Sequence, residues 1–335
     1  MVNNTCKKIL VTLLCLCLVT ITLVSCAQGN TQGDANSDAL VIRINHTMSF
    51  GASIIQLLML TGMLEDLLPD DVSVEWVNIN NSANIRDALV TDRIDIATKN
   101  LPSFLTAIHN DMPILLMSNY ITQTGLIFSN NPDIASLDDI TPAHRLASTG
   151  IGTAYHLALM MIALENFDDA TRFDNNLTVM DNAAMITSVE NSRDLDMIML
   201  GFPSIIRAHE IESVFPIFDL TSTLNDYNIS FVTVANEDFY NNNPDLVEIL
   251  YQAYAKMIDF IINHPHEAAE LLAKFYGNVS AEDITQQLMR SPPQLEISES
   301  GFNRVTELMS EVGMIPGTPK KLSDLPNFNS IPRVP

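Results

Sequence analysis

The stretch Asp87–Ala107, DALVTDRIDIATKNLPSFLTA, decides how the chain is read. Ile85 to Val90 carries apolar residues at helical spacing, and Ile94 to Thr98 reads as a strand. The strand then runs through Lys99-Asn100-Leu101 into a Pro102-Ser103 corner. Toward the N-terminus the same two textures alternate. Val72 to Ile79 (VSVEWVNI) alternates as a strand does, Ser53 to Leu68 is apolar at helical spacing, and Ala39 to Ile44 (ALVIRI) is strand-like. Strands taking turns with helices give the βαβ rhythm of a mostly parallel sheet.

The rhythm then repeats. A displacement of 101 positions, Gly51 to Gly152, also sets Leu58 on Leu159 and Met59 on Met160. It sets Asn81, Ala83 and Ile85 on Asn182, Ala184 and Ile186, Asp95 on Asp196, and Pro102-Ser103 on Pro203-Ser204. The identities are few, but they fall at strand-to-helix turns, in helix cores and at the corner after a strand. The period is too long for a solenoid, whose repeats run ~20–50 residues. Two copies of a small α/β unit facing each other fit better. Beyond Tyr227 the texture changes. Ile229 to Ala235 is a strand, Asp245 to Asn263 and His266 to Tyr276 are helices, and Gly277 ends the second. Ser280 caps another helix with Asp283 at its third position. Ser298 to Val312 is the last helix, and a Pro-rich tail follows Gly313 as irregular chain.

The first residues read differently. Lys7 and Lys8 precede an apolar run from Ile9 to Val24, the pattern of a secretory signal. It is short for a bilayer span, which takes ~20 apolar residues. All four cysteines, Cys6, Cys15, Cys17 and Cys26, lie in or at the end of that run. A chain cut before Cys26 keeps one cysteine, so a disulfide framework and a cysteine metal site are excluded. Ala27 to Asp38 is rich in small polar residues and reads as a flexible tether. The formal charge of -23 argues against nucleic acid and against anionic lipid heads.

Five stretches carry a family resemblance. Asp87–Ala107 is similar to a strand of pattern Ala-Leu-x-x-Gly-x-Ile-Asp followed by a Pro corner. Asn131–Ile140 (NPDIASLDDI) and Ser148–Phe167 (STGIGTAYHLALMMIALENF) resemble the entry to a second lobe and its hydroxyl- and Gly-bearing turn. Ala235–Gly277 resembles an Asn-Pro helix pair, and Leu23-Val24-Ser25-Cys26 resembles a bacterial lipobox. The chain thus resembles type 2 substrate-binding proteins of ABC importers, in the group handling nitrate, aliphatic sulfonates, taurine and thiamine-pyrimidine precursors. It departs from them at Asp92-Arg93, where that family has Gly, and at Lys99, where small residues are common.

The resemblance implies a two-lobed α/β fold with mostly parallel sheets flanked by helices and two hinge crossings. It implies a signal peptide at 1–25, a tether at 26–38 lipidated (palmitate) on Cys26, lobe one at 39–127 and 230–335, and lobe two at 128–229. It further implies an exported, membrane-anchored monomer facing the periplasm or cell exterior. Such a protein delivers a small-molecule ligand to an ABC permease driven by an ATPase, without cofactor or metal.

In open α/β sheets ligands sit beyond the carboxyl ends of the strands, where helix-start N–H groups are free. Lobe one offers Asn45, His46, Thr47, Ser49 and Phe50, and lobe two offers Ser148, Thr149, Gly150, Gly152 and Thr153. Ordinary helix capping is the plain alternative for either turn alone. Lys99 is placed to pair with an anion or to bridge Asp95 or Asp92. Asn100, Gly201 and Phe202 line the corners, and Asn81 and Asp181 end the second strands as amide or carboxylate ligands or as turn formers. Phe50, Phe202, Tyr120 and Tyr155 are stacking candidates or core. Gly150-x-Gly152 is too short for a dinucleotide loop, His264-x-His266 lacks a third metal ligand nearby, and no Gly-x-Ser-x-Gly elbow is present. Two other classes stay open: an enzyme resembling a pyrimidine synthase on this fold, and a surface receptor or adhesin without transport.

Overall fold

The computed structural model describes residues 40–191 and 194–334, except the side chains of Asn119, Tyr120, Thr122 and Val334. The signal, tether and Cys26 readings fall outside the described residues, as does the side chain of Tyr120. The first strand is β1 (Leu40–His46), followed by α1 (Ser53–Thr61), β2 (Val72–Asn78), α2 (Ser82–Val90), β3 (Ile96–Asn100), α3 (Leu101–His109) and β4 (Ile114–Thr122). The chain then builds β5 (Leu126–Ser129), β6 (Leu146–Ser148), α4 (Ala154–Phe167), β7 (Leu177–Val179), α5 (Asn182–Glu190), β8 (Met197–Leu200), α6 (Ser204–His209) and β9 (Phe215–Asp219). It returns through α7 (Thr221–Asp226) to β10 (Ser230–Asn236). There follow α8 (Glu237–Asn242), α9 (Pro244–Asn263), α10 (Pro265–Tyr276), α11 (Ala281–Arg290), β11 (Ile297–Ser298), α12 (Glu299–Glu311) and β12 (Arg333–Val334).

Two five-stranded sheets result, ordered β2-β1-β3-β10-β4 and β7-β6-β8-β5-β9. In each, the fourth strand is antiparallel to its neighbours. The central strand of sheet two, Met-Ile-Met-Leu, pairs parallel with β6 and antiparallel with β5 and is wholly buried, as expected of a strand covered on both faces. The 101-residue echo is the echo of β1-α1-β2-α2-β3 in β6-α4-β7-α5-β8. It extends to strands that the displacement cannot reach. Asn236, ending β10, donates its backbone N–H to Asp95 O (2.8 Å) and its amide to Leu89 O (2.8 Å). Asn130, after β5, does the same to Asp196 O (3.1 Å) and Val189 O (3.2 Å).

The chain crosses between sheets twice, through residues 123–125 and through α7. Each crossing delivers the antiparallel strand of the sheet it enters. One apolar cluster runs from α2 and α3 through α4 to α12 and joins both sheets. A second fills the outer face of sheet one beneath α1, α9 and α10, and a third packs α5 and α6 on sheet two.

Several boundaries differ from expectation. The helix starting at Ser53 stops at Thr61 because Gly62 takes a left-handed φ of 70° and returns its N–H to Leu58 O. The strand expected at Ile94–Thr98 lies two residues later, and the corner after it opens helix α3, with Pro102 in its first turn. The tail is not wholly irregular: Arg333–Val334 pairs parallel with Ile297–Ser298, and Asn327 donates to Leu116 O (2.7 Å).

Candidate functional site

The carboxyl ends of the parallel strands in both sheets meet. Ser103 Oγ, in the first turn of α3, donates to Gly152 O across the gap (3.4 Å). Phe50, after β1, meets Phe202, after β8, edge to face at 4.8 Å between centroids. The walls on the two sides are built differently.

On the sheet-one side three amides of the turn Thr47–Gly51 have acceptors. Met48 N–H goes to Asn80 Oδ1 (2.8 Å), Ser49 N–H to Thr47 Oγ1 (3.1 Å) and Gly51 N–H to Ser49 Oγ (3.3 Å). The carbonyls of Thr47 and Ser49 accept from Gln56 Nε2 at 2.6 and 3.0 Å. Gln56 is fully buried and accepts the Tyr276 hydroxyl on its own oxygen (2.7 Å). Burial pushes the Tyr276 phenol above its ordinary range. Neither Gln56 nor Tyr276 was among the expected site residues. Asn45 staples the strand ends, donating to Val77 O (3.0 Å) and Ile79 O (3.2 Å), while its Oδ1 is buried without a partner. His46 Nδ1 lies 3.3 Å from Asn78 Nδ2. The amide nitrogen can only donate, so Nδ1 accepts and Nε2 carries the proton; burial lowers the pKa of this ring. A Cβ at Gly51 would collide with the Phe231 ring, which would have to move.

Asn81, Asn100 and Asp181 are occupied as helix caps. Asn81 accepts from Ala83 N and Asn84 N, Asn100 from Ser103 N (2.9 Å) and Asp181 from Ala184 N (2.8 Å). Lys99 bridges neither Asp95 nor Asp92. Asp95 is held by Arg43 (2.9 Å), and Asp92 accepts from Asn236. Lys99 is only 5% exposed, and among the described residues its ammonium makes one long contact, 3.5 Å to Ser82 O. Burial foremost, then repulsion from Arg86, pulls its pKa down from 10.5 to about 8, against a smaller opposing pull from Asp87. That drop corresponds to roughly 3 kcal/mol against the charged form.

On the sheet-two side the turn is open. Thr153 caps no amide of α4; its hydroxyl donates instead to Gly150 O (2.9 Å). Gly152, at φ 76°, gives its N–H to His156 Nδ1 (3.1 Å). Among the described residues no acceptor faces the amides of Thr149, Gly150, Ile151, Ala154 or Tyr155. Ser148 is buried with its Oγ unpartnered, on the same face of β6 as α4. Tyr155 is a hinge residue: its hydroxyl donates to Thr124 O (2.9 Å), and its ring lies where Cβ atoms on Gly125 and Gly201 would be. Burial raises its phenol pKa. His156 was missed by sequence reading, although its signal is visible as a lone polar residue four positions after a turn glycine. Among the described residues no group of side chains could hold a metal ion, and no helix is long and apolar enough to cross a membrane. His264 and His266 are exposed and sit near Glu267 and Glu270.

Residues 70–268 match the family model described as NMT1/THI5 like. No curated protein is significantly similar in sequence. The fold is shared with the ligand binding component of an ABC-type import system from Staphylococcus aureus with zinc bound, at TM-score 0.69 and 16% identity over 85% of this chain and 96% of that one. It is shared with the alkanesulfonate-binding protein SsuA from Xanthomonas axonopodis pv. citri bound to MOPS, at TM-score 0.68 and 12% identity over 89% and 100% of the two chains. The periplasmic aliphatic sulphonate binding protein SsuA from Escherichia coli superposes at TM-score 0.66 and 16% identity over 86% and 98%.

Proposed function

The chain belongs to the NMT1/THI5-like family, and from that premise we propose that it is the solute-binding component of an ABC importer. It captures a small organic anion between two closing lobes and hands it to a membrane permease. The observation that carries this reading is the open turn before α4. Its uncapped amides and the partnerless, buried Ser148 hydroxyl form a receptor for acceptor oxygens. Lys99, on the facing wall, supplies positive charge that, among the described residues, makes no ion pair. The Phe50–Phe202 contact adds an apolar surface, favouring an anion with a short organic tail over nitrate. The sulfonate-binding proteins that share the fold support this class. Export and lipid anchoring through Cys26 belong to the same proposal and rest on Leu23–Cys26. Binding alone, followed by domain closure, accounts for the role.

Calorimetry and thermal unfolding with ethanesulfonate, taurine, nitrate, pyrimidines and flavins test the proposal. A sulfonate at 100 times its Kd stabilises the fold by about 2.7 kcal/mol. Stabilisation by pyrimidines alone would redirect the ligand class, and no response to any member would sink the reading.

A further inference from the structure

Each turn at the meeting edge is gripped from beneath by one buried polar side chain of the helix that follows. On the sheet-two side that side chain is His156, in the first turn of α4 and 5% exposed. Both ring nitrogens are engaged. The Gly152 backbone N–H can only donate, so Nδ1 accepts it at 3.1 Å. Nε2 lies 3.2 Å from Asp174 Oδ1 and donates to that carboxylate. The two partners fix the ring as the Nε2–H tautomer. Gly152 is the residue at φ 76°, where the turn changes direction. The amide that His156 removes from the set is thus the one at the bend, and among the described residues those of Ile151 before it and Ala154 after it have no acceptor.

We propose that His156, oriented by Asp174, is a positioning residue: it holds Gly152 so that the neighbouring amides of the turn converge on the ligand's acceptor oxygens. This rests on the proposed solute-binding role. His156 itself does not touch the solute. Its action is through the shape of the turn, which sets affinity because a fixed array of donors loses less freedom on binding than a mobile one. Asp174 acts one step further out, by choosing which ring nitrogen is bare.

The test pairs two variants. His156→Asn offers its side-chain oxygen near the Nδ1 position, while His156→Leu keeps bulk and removes the acceptor. The probe is ethanesulfonate, titrated calorimetrically into the full chain. His156→Leu weakens binding about tenfold and His156→Asn restores most of that loss. Independently of any ligand, nitrogen NMR of the free wild-type protein shows a bare Nδ1 and a protonated Nε2 at His156. Amide exchange at Gly152 is slow in the wild type, faster in His156→Leu and slow again in His156→Asn. A protonated Nδ1 in the wild type, or unchanged exchange at Gly152 in His156→Leu, overturns the positioning role whatever the ligand. If the leucine variant does not fold, the wild-type tautomer and the asparagine variant still decide it. Failure of every probe to bind while the tautomer and exchange results hold would count against the solute-binding reading and leave the gripped turn standing.

Discussion

The turns after β1 and β6 occupy equivalent places in two copies of one unit, yet one is sealed and the other is open. In the first, Asn80, Thr47 and Ser49 accept the Met48, Ser49 and Gly51 amides, and Gln56, itself held by the Tyr276 hydroxyl, donates to the carbonyls of Thr47 and Ser49. In the second, among the described residues, the Gly152 amide is the one turn amide with an acceptor, and the carbonyls of Gly150 and Gly152 accept from Thr153 and Ser103. The repeat supplies two candidate cradles. A few differing side chains engage three amides and two carbonyls of one turn, while in the other the Gly152 amide is engaged. The same kind of difference appears away from the cleft. Arg43 N–H and Arg145 N–H both donate to an aspartate, Asp95 at 2.7 Å and Asp196 at 2.8 Å. Only Arg43 adds a side-chain ion pair; in the second copy Asn131 takes that place (3.1 Å).

The asymmetry is most directly broken at Lys99. Lys99→Met should lower ethanesulfonate affinity about 100-fold, roughly 2.7 kcal/mol, by removing a buried charge-assisted contact. The same change should raise Tm by ~2–4 °C, because an apolar side chain no longer bears the burial penalty of an ammonium. Loss of both affinity and stability would mark Lys99 as structural. Next in size is Gly51→Ala, which forces a methyl group into Phe231 and costs about 2 kcal/mol of stability in denaturant unfolding. Phe231→Leu in the same chain should recover much of it. Gly152→Ala meets open space and carries only the left-handed backbone cost, about 1 kcal/mol.

The pH dependence sharpens the contrast. The folded pKa of Lys99, about 8, lies below the unfolded value near 10.5. Below pH 8 both states hold the proton and the fold bears the penalty. Between about 8 and 10.5 the unfolded chain holds more protons, so this residue makes stability rise with pH. Anion binding needs the ammonium, so affinity should fall about tenfold per pH unit above 8 and lose that dependence in Lys99→Met. The smallest effect is expected from Tyr276→Phe. Gln56 loses its hydroxyl partner and stability falls by ~1 kcal/mol. Affinity should change less than about twofold, since the Met48, Ser49 and Gly51 amides of the turn it supports already have acceptors; a tenfold loss would show this turn to be a binding element after all.

Much of the architecture was legible because it is written in periodicity and punctuation. Alternating strand and helix textures, the 101-residue displacement, and glycines at helix ends such as Gly277 at φ 77° are local signals. That each sheet has a polar strand-to-helix turn was legible for the same reason, since Ser148, Gly150, Gly152 and Thr153 lie in sequence, as do Asn45 to Gly51. What holds the sheet-one turn was not. Tyr276 stands 220 positions from Gln56, and nothing near either residue announces the contact. Asn81 and Asp181 had two readings and Asn100 was read as a corner ligand; all three side chains are engaged at short range, capping their own helices. Tyr155 shows the complementary limit. Its role depends on Gly125 and Gly201, two glycines from separate strand ends that leave room for one ring.

The interleaved path of the chain bears on how it emerges from a ribosome. Sheet two is drawn from one uninterrupted span, Leu126 to Asp219. Sheet one has to wait for Ser230–Asn236 to slide between β3 and β4, which were translated long before. The half made second is therefore the half that can finish first, and the early half must be held with its middle unzipped.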